Sequence, residues 1–146
     1  MARIKLTLPS SFPFAATIPV RITDLNYGGH VGNDAVLSIL HEARMQFLRF
    51  FDYSELKIEG VSLIMSDVAI EFKAELYYGD VIKAYVTTDG FTRAGFDIYY
   101  KLIRENEEKP VAVAKTGMVC YNYDHKKIVE VPRAVIARFT TASKTD

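Results

Sequence analysis

The chain has 146 residues, which suits one domain with a sizeable core, and we expect a single domain over residues 1–146. Hydrophobic residues make up 49 % and charged residues 25 %, as in an ordinary soluble globular protein. Lysine plus arginine equals aspartate plus glutamate, at 18 each, so no net charge drives binding to nucleic acid or to a membrane surface.

The remaining composition excludes several further classes. The single cysteine, Cys120, rules out an internal disulfide, and its strand-like surroundings predict a buried structural thiol rather than a nucleophile. No apolar run approaches the roughly 18 residues of a membrane span. The first residues lack the hydrophobic segment of a signal peptide. We therefore expect a cytoplasmic protein with neither a membrane nor a nucleic-acid partner.

The first part of the chain predicts an arm and then a strand. Residues 1–14 form a lead-in whose apolar side chains are expected to anchor on the body of the protein. Residues 16–23 alternate apolar and polar side chains, which predicts a half-buried strand. Pro19 cannot donate to a sheet ladder, so this strand is expected at an edge or a bulge. The anchors are Leu6, Leu8, Phe12 and Phe14.

The longest helical pattern follows a polar, glycine-broken loop. Asn33 or Asp34 can cap its start, since either side chain accepts hydrogen bonds from free backbone N–H groups. The wide apolar stripe predicts a mostly enclosed helix. Its members are Val36, Leu37, Ile39, Leu40, Ala43, Phe47, Leu48, Phe50 and Phe51.

Beyond Gly60 the apolar residues recur at every second position, as in strands, rather than at helical spacing. Strands are predicted over residues 68–76, 82–87, 96–102 and 111–123, joined by short turns. Pro132 opens a short helix to Phe139, and a polar tail over residues 140–146 is expected to fray. Helix and strands are segregated, which predicts an α+β fold. One apolar helix and one apolar sheet face bury each other if an antiparallel sheet wraps around the helix.

The loop before the helix is the candidate site. Five side chains that accept, donate or exchange protons crowd into eleven positions, more than a simple turn requires: Asp24, Asn26, His30, Asn33 and Asp34.

This stretch resembles a known family. The loop Asp-Leu-Asn-Tyr-Gly-Gly-His-Val-Gly-Asn at 24–33, the helical Glu-Ala-Arg at 42–44 and the order of elements are similar to the hot-dog fold thioesterases, in the branch like 4-hydroxybenzoyl-CoA and acyl-ACP thioesterases. The resemblance implies hydrolysis of an acyl-CoA or acyl-ACP thioester without a cofactor. It also implies a homodimer or homotetramer with the site at the subunit interface.

The loop departs from the family pattern at its best-known acidic position. Many members carry aspartate where this chain has Asn26, which cannot act as a base or a carboxylate nucleophile. The usual helical glutamate falls on His41, and this chain places Glu42 one residue later. Asp34 at the helix start is the expected substitute.

Thioester hydrolysis requires a base or nucleophile, an oxyanion site and an apolar slot. The resemblance implies that Asp34 is the base or nucleophile, that His30 is a second base or an orienting donor, and that Asn26 positions water or the carbonyl. Gly32 and Asn33 open the helix N-terminus to the substrate.

Two further residues complete the candidate set, and each role has a structural alternative. Tyr27 borders the acyl slot or merely packs, and Glu42 is a reserve carboxylate or a solvated position. Asp34 can be a helix-start carboxylate, His30 an ordinary loop histidine and Asn26 a turn residue. His41 lies about 10 Å along the helix from Asp34 and is expected to face a partner subunit.

The alternative functions are a hydratase or dehydratase on the same fold, and a non-catalytic module that binds acyl thioesters. The three scattered histidines and one cysteine favour no metal site.

Overall fold

The computed structural model describes residues 1–144. Within them the strands are β1 (Phe14–Pro19), β2 (Ser62–Phe72), β3 (Val81–Asp89), β4 (Gly95–Arg104), β5 (Pro110–Asn122) and β6 (Lys127–Ile128). The helices are α1 (Asn33–Phe50) and α2 (Arg133–Lys144), and a single 3-10 turn covers Ile22–Asp24. No helix in this part of the chain is long and apolar enough to cross a membrane.

One antiparallel sheet encloses the inner side of α1. Its strand order is β1-β3-β4-β5-β2, with β6 added to the end of β5. One side of α1 packs on alternate residues of the strands, such as Ile98, Tyr100 and Leu102, which are fully buried. The predicted α+β fold, with a sheet wrapped around the long helix, is confirmed.

β1 is an edge strand, as Pro19 indicated, but it is shorter than the predicted span of residues 16–23. The backbone leaves the sheet because Asp24 turns it: Asp24 Oδ2 accepts a hydrogen bond from the Arg21 N–H at 2.8 Å and caps the 3-10 turn. Ile22, predicted to be buried with Ile18, is therefore 65 % exposed.

β2 begins at Ser62 and ends at Phe72, earlier at both ends than the predicted span of residues 68–76. A bulge between Met65 and Asp67 shifts the register, so the alternation before it is out of phase with the alternation after it. The strand ends where the N–H groups of residues 73 and 74 both donate to the Val111 carbonyl.

α1 is less enclosed than its apolar stripe predicted. Its inner face is buried, but Leu37 is 38 % and Phe50 is 63 % exposed, and the open face also carries Ser38 and His41. The helix cap is Gly32, not Asn33 or Asp34 as predicted. One long face of the helix is therefore open in a single protomer.

The C-terminal helix is longer than predicted. α2 covers Arg133–Lys144, so the first five residues of the predicted tail are helical, while the last two lie outside the described residues. Its Phe139 contacts Phe47 and Phe51 at the end of α1, with ring centroids 5.4 and 5.0 Å apart. This aromatic cluster closes the core at that end.

Candidate active site

The polar loop is a small closed unit fixed at its base. An isolated bridge joins Leu25 to Val31. The Val31 N–H donates to the Leu76 carbonyl at 2.8 Å, and the Gly32 N–H donates to the Asp24 carbonyl at 3.1 Å. These bonds fix the direction in which the chain enters α1, while the tip of the loop projects outward.

Asn26 organises the tip of this loop. Its Oδ1 accepts a hydrogen bond from the Gly28 N–H at 2.8 Å, which is an Asx turn. A Cβ added to Gly28 would lie 3.2 Å from Asn26 Oδ1 and 3.4 Å from His30 Nε2, so both side chains converge on this glycine. Within the described chain the Asn26 Nδ2 group has no hydrogen-bond partner. Asn26 therefore combines the turn-forming role with a free donor.

Gly32 is where Asn26 and Asp34 meet. A Cβ at Gly32 would lie 2.6 Å from Asp34 Oδ1 and 3.5 Å from Asn26 Cβ. The exposed Asp34 side chain thus folds back over the helix start. Gly32 is the N-cap residue, and no side chain among residues 1–144 accepts a hydrogen bond from the first N–H groups of α1, so these groups remain available.

His30 lies beside the helix start, in a cleft of about 310 Å³ that Asn33 also lines and Asp34 does not. Its Nδ1 is 3.3 Å from the Val31 carbonyl oxygen. When Nδ1 carries the proton it donates to that oxygen, and Nε2 is then free to accept a proton. Nε2 lies 3.8 Å from Glu75 Oε1. The cleft is lined by His30, Val31, Asn33, Val36, Phe72, Lys73, Ala74, Glu75, Leu76, Val111 and Ala112.

Two of the predicted site residues lie apart from this cluster. Glu42 is eight residues beyond Asp34, about 12 Å along the helix axis. Its carboxylate accepts a hydrogen bond from Gln46 at 2.8 Å, and it borders a separate groove between β1 and α1. Tyr27 is fully exposed at the loop tip. A single protomer therefore brings together Asn26, His30, Gly32, Asn33 and Asp34.

An ion pair between the buried Arg44 of α1 and the partly buried Glu55 was not predicted from the sequence. Arg44 is only 6 % exposed; its Nε donates to Glu55 Oε1 at 2.9 Å and its Nη1 to the Tyr100 hydroxyl at 3.2 Å. His41 Nε2 lies 3.1 Å from the same Glu55 oxygen, so His41 faces its own loop. Burial raises the pKa of Tyr100. An arginine on the apolar stripe of a helix was the available signal.

The structure also bears on two other kinds of site, a cysteine nucleophile and a metal centre. Cys120 is fully buried, and burial raises the pKa of its thiol to about 11, which makes it inert as a nucleophile. Within residues 1–144 no group of three histidine, cysteine, aspartate or glutamate side chains could hold a metal ion.

The fold and the loop geometry agree with the comparison to known families. A family model of the thioesterase-like superfamily matches residues 20–139, which contain the loop, α1 and the whole sheet apart from β1. The chain belongs to this superfamily. The predicted resemblance to thioesterases is thereby confirmed, and membership supports thioester hydrolysis as the general chemistry.

Similar proteins extend this finding. A protein of Aquifex aeolicus (strain VF5) named "Putative esterase" is 27 % identical over 126 residues, covering 85 % of this chain and 95 % of that protein. A 1,4-dihydroxy-2-naphthoyl-CoA thioesterase from Synechocystis has a similar structure, with a TM-score of 0.78 and 22 % identity over 87 % of this chain and 95 % of that one.

A third likeness is to a thioesterase from Thermus thermophilus, solved in complex with coenzyme A and Zn. The TM-score is 0.79 and the identity 21 %, with 93 % of this chain and 98 % of that chain covered. At these identities the two structures bear on the fold alone, and they confirm the predicted hot-dog fold of this member of the thioesterase-like superfamily.

Proposed function

We propose that this protein hydrolyses acyl-CoA thioesters. The observation that carries the proposal is the meeting of Asn26 and Asp34 at Gly32, at the uncapped N-terminus of α1. The Asp34 carboxylate and the free N–H groups of the first helical turn lie at this glycine, and the Asn26 side chain, whose amide is a free donor, begins 3.5 Å from the same Cβ position. These are the groups that acyl transfer from a thioester requires.

The reaction follows from these positions. The thioester carbonyl oxygen binds the free N–H groups at the start of α1, with the Asn26 Nδ2 donating to the same oxygen. Water adds its oxygen to the carbonyl carbon and gives one proton to the base. The tetrahedral intermediate then collapses, the C–S bond breaks, and the departing thiolate takes that proton. The products are a free acid and a free thiol.

Asp34 is the proposed base, and the position of its carboxylate over Gly32 at the helix start supports this assignment. His30 is the second group able to take the proton, because an Nδ1–H bond to the Val31 carbonyl leaves Nε2 as an acceptor. His30 lines the cleft beside the helix start and Asp34 does not, so separate substitutions distinguish their roles.

The cleft beside His30 is the proposed acyl slot. Its walls are mostly apolar, including Val36, Leu76 and Val111, and Lys73 lies at its rim. A cation there suits the phosphates of coenzyme A. Coenzyme A is preferred to acyl carrier protein as the carrier because two of the structurally similar proteins are described with CoA, as a naphthoyl-CoA thioesterase and as a CoA complex. Tyr27 at the loop tip is proposed to border the entrance.

A homodimer would complete the site. β2 forms one end of the sheet, and its outer edge pairs with no strand of the described chain. This edge is eleven residues long and exposes Met65, Val68 and Phe72. Phe72 also lines the acyl cleft. A second copy that pairs along β2 would bury these side chains and close the cleft from the side, and such dimers can assemble further into tetramers.

The test measures free thiol released from a panel of short, long and aromatic acyl-CoAs. For Asp34→Asn we expect kcat to fall by about 10²- to 10⁴-fold, the usual contribution of a general base. Asp52→Asn is the matched control, because Asp52 is an exposed aspartate beyond the other end of α1. The control should keep the rate of the unmodified protein.

Three results would contradict parts of the proposal. Absence of turnover on the whole panel would overturn the hydrolase. Full activity of Asp34→Asn, with a loss in His30→Gln, would move the base to His30. Turnover of an enoyl-CoA without release of thiol would favour the hydratase alternative, which the amide at position 26 and the nearby His30 keep chemically possible.

A further inference from the structure

The N-terminal arm crosses the outer face of the sheet, opposite α1. At one end, the Phe12 ring lies under Lys101 of β4, with Nζ 4.7 Å from the ring centroid. At the other end, the Leu6 N–H donates to Glu71 Oε1 of β2 at 2.6 Å. Residues 6–12 therefore span from β4 across β5 to the edge strand.

The burial of Val113 supports this path. Strand pairing places Lys101, Val113 and Glu71 in one row on the outer face of the sheet. Val113 is only 3 % exposed although it lies outside the main hydrophobic core. The arm between its two anchors passes over this row, and its partly buried Leu6 and Leu8 provide the apolar cover.

Residues 1–5 continue past the last anchor and reach the free edge of the sheet. All five are exposed, and residues 2–4 border a shallow groove with Ile70, Glu71 and Phe72 at the end of β2. An extended segment of five residues spans up to about 17 Å. Neighbouring strands lie about 4.8 Å apart, so this segment can extend across two or three strands beyond β2.

The charges on the two surfaces are complementary. The segment carries Arg3 and Lys5, whereas the outer side of β2 carries Asp67 and Glu71. The Leu6 N–H, with Lys73 and Lys5, holds the pKa of Glu71 below its usual range, so this side chain stays ionised. The Asp67 side chain is 62 % exposed. Its Oδ1 pairs with Lys115 Nζ at 2.8 Å and accepts the Gly117 N–H, while its Oδ2 makes no hydrogen bond within the described residues.

We propose that residues 1–5 form a strap that crosses the seam between two copies of this chain and packs on the outer face of the second copy's β2. The strap rests on the edge-to-edge dimer of the proposed function and adds a second contact to it. The strap contacts the outer face of the sheet and the acyl cleft opens on the inner side, although Phe72 at the end of β2 borders both grooves. By symmetry, each copy gives one strap and receives one.

Cross-linking between variant chains tests the strap directly. Isotopically labelled Ile4→Cys chain is mixed with unlabelled Ala69→Cys chain, since Ala69 lies on the outer face of β2. After subunit exchange, a short bismaleimide should join residue 4 of a labelled chain to residue 69 of an unlabelled one. Because each chain has one introduced thiol and Cys120 is buried, this product arises only between chains. Lys127→Cys replaces Ala69→Cys in the control and should give no product.

Charge reversal gives an independent measurement. We expect Arg3→Glu/Lys5→Glu to raise the dimer dissociation constant by about tenfold in sedimentation velocity. Lys127→Glu/Arg133→Glu is the matched control, because both residues are exposed on β6 and α2, away from β2. Thiol release by the arm variant, measured above its dissociation constant, should equal that of the unmodified protein.

The strap and the proposed function fail in different ways. The double variant Ile4→Cys/Ala69→Cys carries both thiols in one chain. If residues 4 and 69 cross-link only within this double variant and never between chains, the strap is overturned and hydrolysis is unaffected. An unchanged dissociation constant has the same meaning. A protein that stays monomeric at every concentration also overturns the strap. Cross-linking between chains without any thioester turnover supports the strap while the hydrolase fails.

Discussion

The two ends of α1 differ in how their backbone groups are satisfied. At the C-terminal end, Arg138 Nη1 donates to the Phe51 carbonyl at 2.7 Å, and its guanidinium lies over the rings of Phe51 and Tyr53. At the N-terminal end the cap is Gly32, and no described side chain caps it. A cation stabilises one helix end, while the donors of the other remain open.

Under the proposed function, the C-terminal end of α1 contributes to the stability of the fold and the N-terminal end to the reaction. The C-terminal end buries Phe47 and Phe51 against Phe139, where ring packing contributes to folding. The N-terminal end leaves polar groups unpaired, which is costly for stability but allows a substrate to bind them. Substitutions at one end should therefore change the free energy of unfolding, and those at the other should change turnover.

The largest expected effect is on stability at the C-terminal end. Phe47→Ala should lower the free energy of unfolding by about 3–5 kcal/mol, because the ring is 1 % exposed and leaves a cavity. Phe50→Ala, three residues away and 63 % exposed, is the matched control and should cost under about 1 kcal/mol. Chemical denaturation measures both. Equal losses for the two variants would contradict the aromatic cluster as the source of stability.

At the N-terminal end, Asn26→Asp should lower kcat by about 10²- to 10³-fold, the usual cost of a lost oxyanion donor. The new side chain keeps the acceptor for the Gly28 N–H but removes the Nδ2 donor. Thermal unfolding should therefore change little. An increase in activity would instead identify position 26 as the proper place for the base and would contradict Asp34.

Between the two ends, Arg44→Met should cost about 1–3 kcal/mol of stability, because it leaves Glu55 and Tyr100 without a shared donor. Arg49→Met on the exposed side of the same helix is the control, with a change within about 0.5 kcal/mol. Urea denaturation compares them. A cost for Arg44→Met no larger than for Arg49→Met would mean that this ion pair is energetically neutral.

The smallest effect is expected at Glu42. Its exposed carboxylate contacts Gln46 and borders the groove beside β1 rather than the helix start. Glu42→Gln should therefore leave both thiol release and unfolding unchanged within error. A large fall in kcat would show that a partner subunit brings Glu42 to the reacting carbonyl.

Local patterns predicted the fold because they act on neighbouring residues. The alternation of β3 and β4 and Pro132 before α2 are properties of short segments, and each element formed near its predicted place. The predicted start of β2 was wrong because the bulge beyond Met65 interrupts the alternation of apolar and polar residues. The predicted end of β1 was wrong because the Asp24 side chain caps a 3-10 turn, which ends the strand although the apolar and polar residues still alternate.

The site was less predictable, since it depends on how separate segments meet. The crowding of polar residues located the loop, and the Asn26 turn at Gly28 is a local pattern that the sequence already offered. The approach of Asn26 Cβ to the side-chain position of Gly32, and the cleft that joins His30 to Glu75 and Val111, depend instead on the tertiary fold. The pairing of Arg44 with Glu55 joins residues eleven positions apart through a connector without regular pattern. Sequence periodicity carries no information about such contacts.

The fixed base of the polar loop bears on how this protein can diversify. Backbone bonds from Val31 to Leu76 and from Gly32 to Asp24 hold the entry to α1, and they involve no side chain that varies with specificity. Tyr27 at the tip is fully exposed and can therefore be replaced without moving the first turn of the helix, whereas Gly28 lies close to Asn26 and His30 and Gly29 has a positive φ of 83°. Under the proposed function, replacing Tyr27 alters which acyl group is accepted while the position of Asp34 at the helix start stays the same.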